Sequence, residues 1–333
     1  MTSQPGVAIV GCGLIGQKRA KALGGAHLVV CVDTVQERAQ RLAATVPACK
    51  AVTGWKEAVS DPTVSIVIIC TLHDTLAEIA HGAVAAGKHV LIEKPAARHA
   101  SELAGLAEAA TVTGSLVRVG FNHRYHRALQ KAHDLVTSGA LGPLMFLRAR
   151  YGHGGRVGYD REWRSDPARS GGGELIDQGP HLIDLARWFL GDFIEVDGFA
   201  ATYFWDMPVD DNGFLLLKTA SKQVAFLHAS CTEWKNTFSF EIYGREGKLD
   251  INGLGGTYGT ERLTLYKMLP EMGPPETTSW EFPMADNSWD IEFAEFLEDI
   301  RLKRQPSASI RDAIEALTII EKIYRISGYD HHA

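Results

Sequence analysis

Gly11-Cys12-Gly13-Leu14-Ile15-Gly16 stands between the strand-like run Val7-Ala8-Ile9-Val10 and a helical pattern through Arg19-Ala20-Lys21-Ala22-Leu23. A G-x-G-x-x-G in that setting constrains the fold more than any other feature of the chain. The first glycine allows a tight turn, the second lets the backbone approach a pyrophosphate, and the third lets the helix pack closely on the strand. The phosphates then meet a helix N-terminus, where free N–H groups and the macrodipole favour negative charge. Asp33 ends the next strand-like run, 22 positions after Gly11. A carboxylate there accepts hydrogen bonds from a ribose 2′-hydroxyl and repels a 2′-phosphate, which points to NAD rather than NADP. Arg38, just past the acid, is placed to tolerate a phosphate. A glycine turn that merely packs helix on sheet leaves the same triplet, and it is Asp33 that tips the reading toward a dinucleotide.

The first third alternates apolar runs with helical patterns, predicting βαβ crossovers and a doubly wound parallel sheet. His27 to Asp33 and Val64 to Cys70 read as strands, the latter buried on both faces. Thr34…Glu37 and Thr75…Glu78 have capping-box spacing and predict helix starts, with Gly87 a C-terminal stop. Lys88-His89-Val90-Leu91-Ile92 then runs into Glu93-Lys94-Pro95. Open α/β sheets bind ligands beyond strand C-termini. Thr71, Glu93 and Lys94 therefore join Gly11, Gly13, Leu14, Ile15, Gly16 and Asp33 as candidate cofactor contacts.

The rhythm changes near residue 122. Helices are predicted over Arg127 to Thr137 and Pro180 to Leu190, with a strand from Leu144 to Tyr151. Further strands are Phe214 to Leu217, Val224 to Ser230, Phe238 to Tyr243 and Arg262 to Met268. Trp289 to Arg301 and Ser309 to Ile326 read as closing helices. The expected organisation is an N-terminal nucleotide-binding domain over 1–122 and a C-terminal α+β domain over 123–333 built on an antiparallel or mixed sheet.

The chain has 333 residues with net charge −6 and no dense basic block, which argues against nucleic-acid or anionic-membrane partners. Five scattered cysteines without a CxxC pair, no secretory leader pattern and no apolar run of spanning length lead to a cytoplasmic expectation.

Lys94 follows a strand of the nucleotide domain, where its ammonium can stabilise charge on a substrate oxygen. Pro95 biases it toward an extended conformation and allows a cis bond. Most lysines are solvated loop residues, so position alone leaves both roles open. Within Gly171-Gly172-Gly173-Glu174-Leu175-Ile176-Asp177-Gln178-Gly179-Pro180-His181, the Asp177–His181 spacing puts both on one side of a helical turn. Oxidising an alcohol needs a base, and a carboxylate-oriented imidazole titrates in the right range. A helix-start aspartate beside a packed histidine has the same spacing. One carboxylate and one histidine are too few for a zinc set, so no metal is expected. The loop from Tyr151 to Arg169 offers Tyr151, His153, Arg156, Trp163 and Arg164 as substrate contacts, or equally a solvated or interface loop.

GCGLIG, AGKHVLIEKP and SGGGELIDQGPHLIDLARWFLG together resemble the glucose-fructose oxidoreductase/inositol dehydrogenase/MocA (Gfo/Idh/MocA) family, in order and over nearly the whole chain. The resemblance implies a Rossmann domain followed by a domain with a large open sheet, often used to build homodimers or homotetramers. It places Lys94, Asp177 and His181 on the family's catalytic lysine, aspartate and histidine. It also places Asn122, Arg124 and Tyr125 among its substrate-side positions. One departure is Thr71-Leu72-His73-Asp74-Thr75-Leu76, where members commonly begin Thr-Pro-Asn and carry a histidine at the place of Leu76. The function expected is hydride transfer between NAD and a hydroxyl-bearing carbon of a sugar, inositol or nucleotide-sugar. An NAD-dependent glycoside hydrolase and a non-catalytic NAD-binding regulator are the rival readings.

Overall fold

Short β-branched runs buried on both faces pair as parallel strands, and six of them build the first of two units. The computed structural model describes residues 4–271 and 273–329. β1 (Gly6–Val10) leads through the glycine loop into α1 (Leu14–Lys21), followed by β2 (His27–Val32), α2 (Gln36–Ala43), β3 (Lys50–Val52) and α3 (Trp55–Ser60). β4 (Ile66–Ile69), α4 (His73–Ala85), β5 (His89–Glu93), α5 (Leu106–Thr113) and β6 (Val117–Gly120) complete the series. The order is β3-β2-β1-β4-β5-β6 with every pair parallel. The direction of winding reverses between β1 and β4, and such a reversal opens a ligand crevice beyond the strand ends.

Both predicted capping boxes are displaced. α2 is preceded by Val35, without a side-chain cap, because the Asp33 carboxylate accepts the Val35 N–H at 2.9 Å and the helix starts one residue late. α4 begins at His73, and Thr75 lies inside its first turn with the hydroxyl donating to the Leu72 carbonyl. Gly87 terminates that helix as expected, with φ +71°.

The second unit begins at Asn122. It contains α6 (Arg127–Thr137), β7 (Leu144–Gly152), α7 (Pro167–Ser170), α8 (Glu174–Asp177) and α9 (Gly179–Leu190). β8 (Phe193–Ala201), β9 (Asn212–Thr219), β10 (Val224–Ser230), β11 (Thr237–Gly244), β12 (Gly247–Asn252), β13 (Glu261–Lys267) and β14 (Glu276–Phe282) follow. They form an eight-stranded sheet, β14-β13-β12-β11-β7-β10-β9-β8, antiparallel except between β7 and β10. Leu147, Leu217, Leu227, Ile242 and Ile251 alternate onto a fully buried face, against which α6, α8 and α9 pack. The opposite face is open, as period-2 patterning requires. β8, β12 and β14 were not among the strands named from the sequence: β14 is exposed over most of its length and lacks a buried apolar alternation.

The chain closes with α10 (Ser288–Leu302) and α11 (Ile310–Ser327). Residues 289–315 belong to the first unit, whereas the sequence division counted everything past 122 with the second. The reason is long-range. Phe293 and Phe296 enter the core of Ile66, Ile68 and Leu91, and Arg118 reaches Asp299 at 2.5 Å with both side chains fully buried.

Candidate active site

In the first unit the three glycines of the loop are required for different reasons. A Cβ on Gly11, whose φ is +95°, would come within 2.5 Å of the Cys70 carbonyl at the end of β4. A Cβ on Gly16 would lie 2.0 Å from the Gly11 carbonyl oxygen, so only glycine lets α1 settle on β1. Among the described residues, its chain neighbours aside, none comes within 4 Å of a Cβ built on Gly13. The middle glycine is thus not demanded by packing, which fits a surface that a pyrophosphate approaches. Leu14 is exposed beside it and Ile15 is half-buried. Asp33 is buried, its Oδ2 accepting the Cys12 N–H at 2.9 Å. The carboxylate therefore shapes the loop while keeping lone pairs for a ribose hydroxyl. Thr71 flanks the same place, its N–H 2.9 Å from the Cβ that Gly11 lacks.

Lys94 is half-buried at the end of β5, and its bond to Pro95 is cis. Glu93, read from the sequence as a cofactor contact, directs its carboxylate to Arg19 Nε at 2.6 Å. Arg19 also donates to Glu292 at 2.5 Å. Leu76, standing at the family's histidine position, is fully buried, and His73 one turn earlier is buried too.

In the second unit Gly173 opens α8 against Asp210. Its missing Cβ would lie 1.9 Å from the Asp210 carbonyl oxygen. The Asp210 carboxylate accepts the N–H groups of Gly173 (2.9 Å) and Leu175 (2.7 Å), while the Tyr324 hydroxyl accepts that of Ile176. This anchoring fixes Glu174 and Asp177. Burial pushes the Asp210 carboxyl up to about 6, against the pull of these hydrogen bonds. Asp177 ends α8 and His181 lies in the first turn of α9, the break at Gln178 retaining near-helical angles (φ −106°, ψ −31°).

Asp177 accepts a hydrogen bond from Arg164 Nε at 2.7 Å, and the carboxylate holds that guanidinium well above its usual range. His181 is buried and stacks on His123, with ring centroids 3.6 Å apart. Tyr151 stands edge-on to both imidazoles, and burial raises its hydroxyl well above the ordinary phenol range. Tyr258, 5.0 Å from Tyr151 between ring centroids, is pushed up to about 12, chiefly by burial. Glu174 lies 3.5 Å from His153 Nε2 and accepts from the Tyr159 hydroxyl at 3.2 Å. Burial lowers the His153 imidazole below its ordinary value. The cluster therefore combines neutral phenol donors, buried carboxylates and an imidazole, a set suited to binding hydroxyl groups and moving a proton.

Tyr151, His153, Arg164, Asp177 and His181 are thus brought together, whereas other expected contacts are engaged within the fold. Arg124 is paired with Asp184 at 2.5 Å, both buried. Arg156 is paired with Glu162 at 2.7 Å, and Trp163 lies under the Arg164 guanidinium. Asn122 donates to Ser288, and Tyr125 is buried. Sequence reasoning missed His123, Tyr258 and Asp210, and did not single out Glu174. His123 adjoins Asn122, and the glycine-flanked Tyr258 is the sort of turn residue that only strand register places. Among the described residues no group of three His, Cys, Asp or Glu is arranged to hold a metal ion.

A switch-point glycine cradle, joined in one chain to a large half-open sheet bearing a histidine–carboxylate cluster, defines a dinucleotide-binding protein with a second, sheet-based domain. The chain belongs to the Gfo/Idh/MocA family. Residues 6–121 match its oxidoreductase model with an NAD-binding Rossmann fold, and residues 129–250 match its C-terminal domain. Levoglucosan dehydrogenase of Pseudarthrobacter phenanthrenivorans is 28% identical over a 225-residue alignment that covers 60% of this chain but only 58% of that relative. Myo-inositol 2-dehydrogenase of Thermotoga maritima is 26% identical over 327 residues, covering 94% and 93% of the two chains. The solved structure of levoglucosan dehydrogenase with NADH and levoglucosan has the same fold, with a TM-score of 0.87 at 23% identity over 98% of each chain. Among the described residues no helix is long and apolar enough to cross a membrane.

Gly13→Ala should leave the melting temperature unchanged and weaken NAD binding by about tenfold or more, roughly 1.4 kcal/mol. Gly16→Ala should instead lower stability by roughly 1–3 kcal/mol or prevent folding; equal effects of the two on stability would refute this division of roles. Because the folded state raises the Asp210 carboxyl, it holds a proton that the unfolded chain has released between pH about 4 and 6. Stability contributed by this group is present below that window and lost as pH rises through it, by about 3 kcal/mol. Denaturation midpoints at the two ends of the window should show that loss in the parent protein relative to Asp210→Asn; parallel pH profiles would contradict it.

Proposed function

We propose that the protein is an NAD-dependent oxidoreductase acting on a hydroxyl-bearing carbon of a sugar, inositol or nucleotide-sugar. The observation that carries this reading is the buried cluster around His181 and Asp177, in a chain whose other unit holds a dinucleotide cradle and a lysine at a strand end. Gly11, Gly13, Leu14, Ile15, Gly16, Asp33 and Thr71 would hold the cofactor, with Glu93 and Lys94 at the neighbouring strand end. NAD, when bound, supplies the hydride acceptor. His181 takes the proton of the reacting hydroxyl, and its stacking on His123 fixes the plane of the ring. The Lys94 ammonium donates to the same oxygen and stabilises charge developing there. Asp177, itself held by Arg164, orients these groups. Tyr151 and His153 contact the remaining hydroxyls, with Asn122, Arg124, Tyr125, Arg156 and Trp163 forming the surroundings. The names of the relatives, levoglucosan and inositol dehydrogenases, support an uncharged polyol or sugar within this class.

The open face of the eight-stranded sheet serves as the homodimer or homotetramer interface. Phe199, Leu216 and Phe226 lie on adjoining strands of that face, each about half exposed, and an exposed apolar patch of this kind marks an interaction surface. Five free thiols fit a reducing, cytoplasmic compartment.

NADH formation should be followed across inositols, free aldoses, levoglucosan and nucleotide-sugars, with Lys94→Met as a control. A substrate oxidised by the parent protein should be turned over roughly 10²–10⁴-fold more slowly by His181→Ala, with NAD affinity intact. Unchanged turnover would remove His181 from the acid/base role.

A further inference from the structure

Besides Cys70 at the end of β4, three cysteines, Cys12, Cys31 and Cys49, lie together beside the cofactor cradle, and the proposed reaction uses none of them. Cys12 is inside the glycine loop, and its thiol donates to the Val32 carbonyl at 3.3 Å. Cys31, fully buried on β2, has its Sγ 3.6 Å from the Sγ of Cys49. Cys49 is half-buried in the turn that leads into β3. We propose that Cys31 and Cys49 are an oxidation site, where hydrogen peroxide closes a reversible disulfide that weakens NAD binding.

The geometry supplies the reach. A disulfide needs the sulfurs to approach to about 2.05 Å, so the gap must close by roughly 1.5 Å. Cys31 is held between β1 and β3 in the sheet interior, whereas Cys49 precedes a three-residue strand at the sheet edge. Ala48, immediately before Cys49, has φ +61°, a conformation unfavourable for a residue with a Cβ. The turn is therefore the part that yields. The roles of the two thiols follow from their surroundings. Hydrogen bonds to Cys12 and Cys49, with burial, lift the Cys31 thiol, while the Cys31 hydrogen bond draws the Cys49 thiol below its ordinary range.

The accessible Cys49 thiolate attacks one peroxide oxygen, breaking the O–O bond to give a sulfenic acid and hydroxide. The hydroxide takes the proton that Cys49 had released and leaves as water. The Cys31 sulfur then attacks the sulfenic sulfur, and its thiol proton departs with the second water. Two thiols are oxidised by two electrons and one hydrogen peroxide is reduced. Disulfides in a reducing compartment are ordinarily transient and regulatory in this way.

The cradle is laced to the strand that carries Cys31. The Gly11 N–H donates to the Val32 carbonyl at 2.8 Å and the Cys12 N–H to Asp33 at 2.9 Å. These acceptors are one and two residues beyond Cys31. Pulling Cys31 and the β3 edge together displaces the groups that set the loop and the ribose-binding carboxylate. This inference rests on the NAD cradle alone and is independent of which substrate is oxidised.

The full chain should be reduced, exposed to hydrogen peroxide, blocked with a maleimide under denaturing conditions and digested with trypsin. Cys12, Cys31 and Cys49 fall on three separate tryptic peptides. The expected product is a Cys31–Cys49 linked peptide pair, lighter than the two thiol peptides by two hydrogens, cleaved by dithiothreitol and absent from Cys49→Ser. NADH fluorescence titration of the same samples should show affinity weakened roughly 5-fold or more, at the low end of ordinary site–site coupling. Dithiothreitol should restore it, and Cys49→Ser, whose reduced form binds NADH normally, should be insensitive to peroxide. Oxidation of Cys49 to sulfinic acid without the linked pair, or a link to Cys12 instead, would overturn the site. A linked pair with unchanged NADH affinity would overturn its effect on the cofactor.

Discussion

Arg19 is fully buried, and its guanidinium holds two carboxylates, Glu93 and Glu292, each at 2.5 Å. An uncompensated charge in such a place costs several kcal/mol, so the three groups assemble together or not at all. Arg19 belongs to the helix that follows the glycine loop, Glu93 immediately precedes Lys94, and Glu292 lies on α10. One ionic centre thereby ties the cofactor cradle, the strand end that presents the lysine, and a helix nearly three hundred residues away. Trp289 covers the guanidinium at 4.3 Å from its ring centroid. Gly120 makes room for the centre, since a Cβ there would sit 2.8 Å from an Arg19 nitrogen and 3.0 Å from a Glu93 oxygen.

The second unit uses the same device with one carboxylate. Among the described residues Asp210 forms no ion pair and is satisfied by backbone N–H groups at the start of α8, with the Tyr324 hydroxyl beside it. That arrangement sets the position of Glu174 and Asp177 before any ligand arrives. Arg164 then holds Asp177 from the other side. Preorganisation of this kind removes reorganisation from the chemical step, which is where oriented polar groups are most effective.

β1, β2, β4 and β5 were legible because parallel strands buried on both faces are continuous apolar runs, as in Ile66–Ile69, whereas the three-residue, part-exposed β3 gave no such signal. The glycine loop was legible because its three glycines are spaced for distinct roles, Gly11 and Gly16 forced by packing and Gly13 left open to a pyrophosphate. The return of residues 289–315 to the first unit was not, since it depends on buried ion pairs between residues far apart in the chain. The starts of α2 and α4 were off by one and three residues because Asp33 and Thr75 direct their side chains to other backbone groups. The arginines carried a different ambiguity. Arg124, Arg156 and Arg164 are the right type for substrate recognition, and nothing in a linear pattern reveals that Asp184, Glu162 and Asp177 neutralise them. His123 was overlooked for a similar reason: its stacking on His181 joins a residue at the domain start to one nearly sixty positions later.

The proposed chemistry is removal of a hydroxyl proton by an imidazole held among phenols and carboxylates, coupled to hydride loss from the same carbon. The most direct measurement uses a turned-over polyol or sugar deuterated at its carbinol carbon, with the reduced cofactor collected after release and analysed by mass spectrometry. The account predicts one deuterium on the nicotinamide ring of each released NADH. Substrate conversion without deuterium in the released cofactor would contradict net oxidation of that carbon.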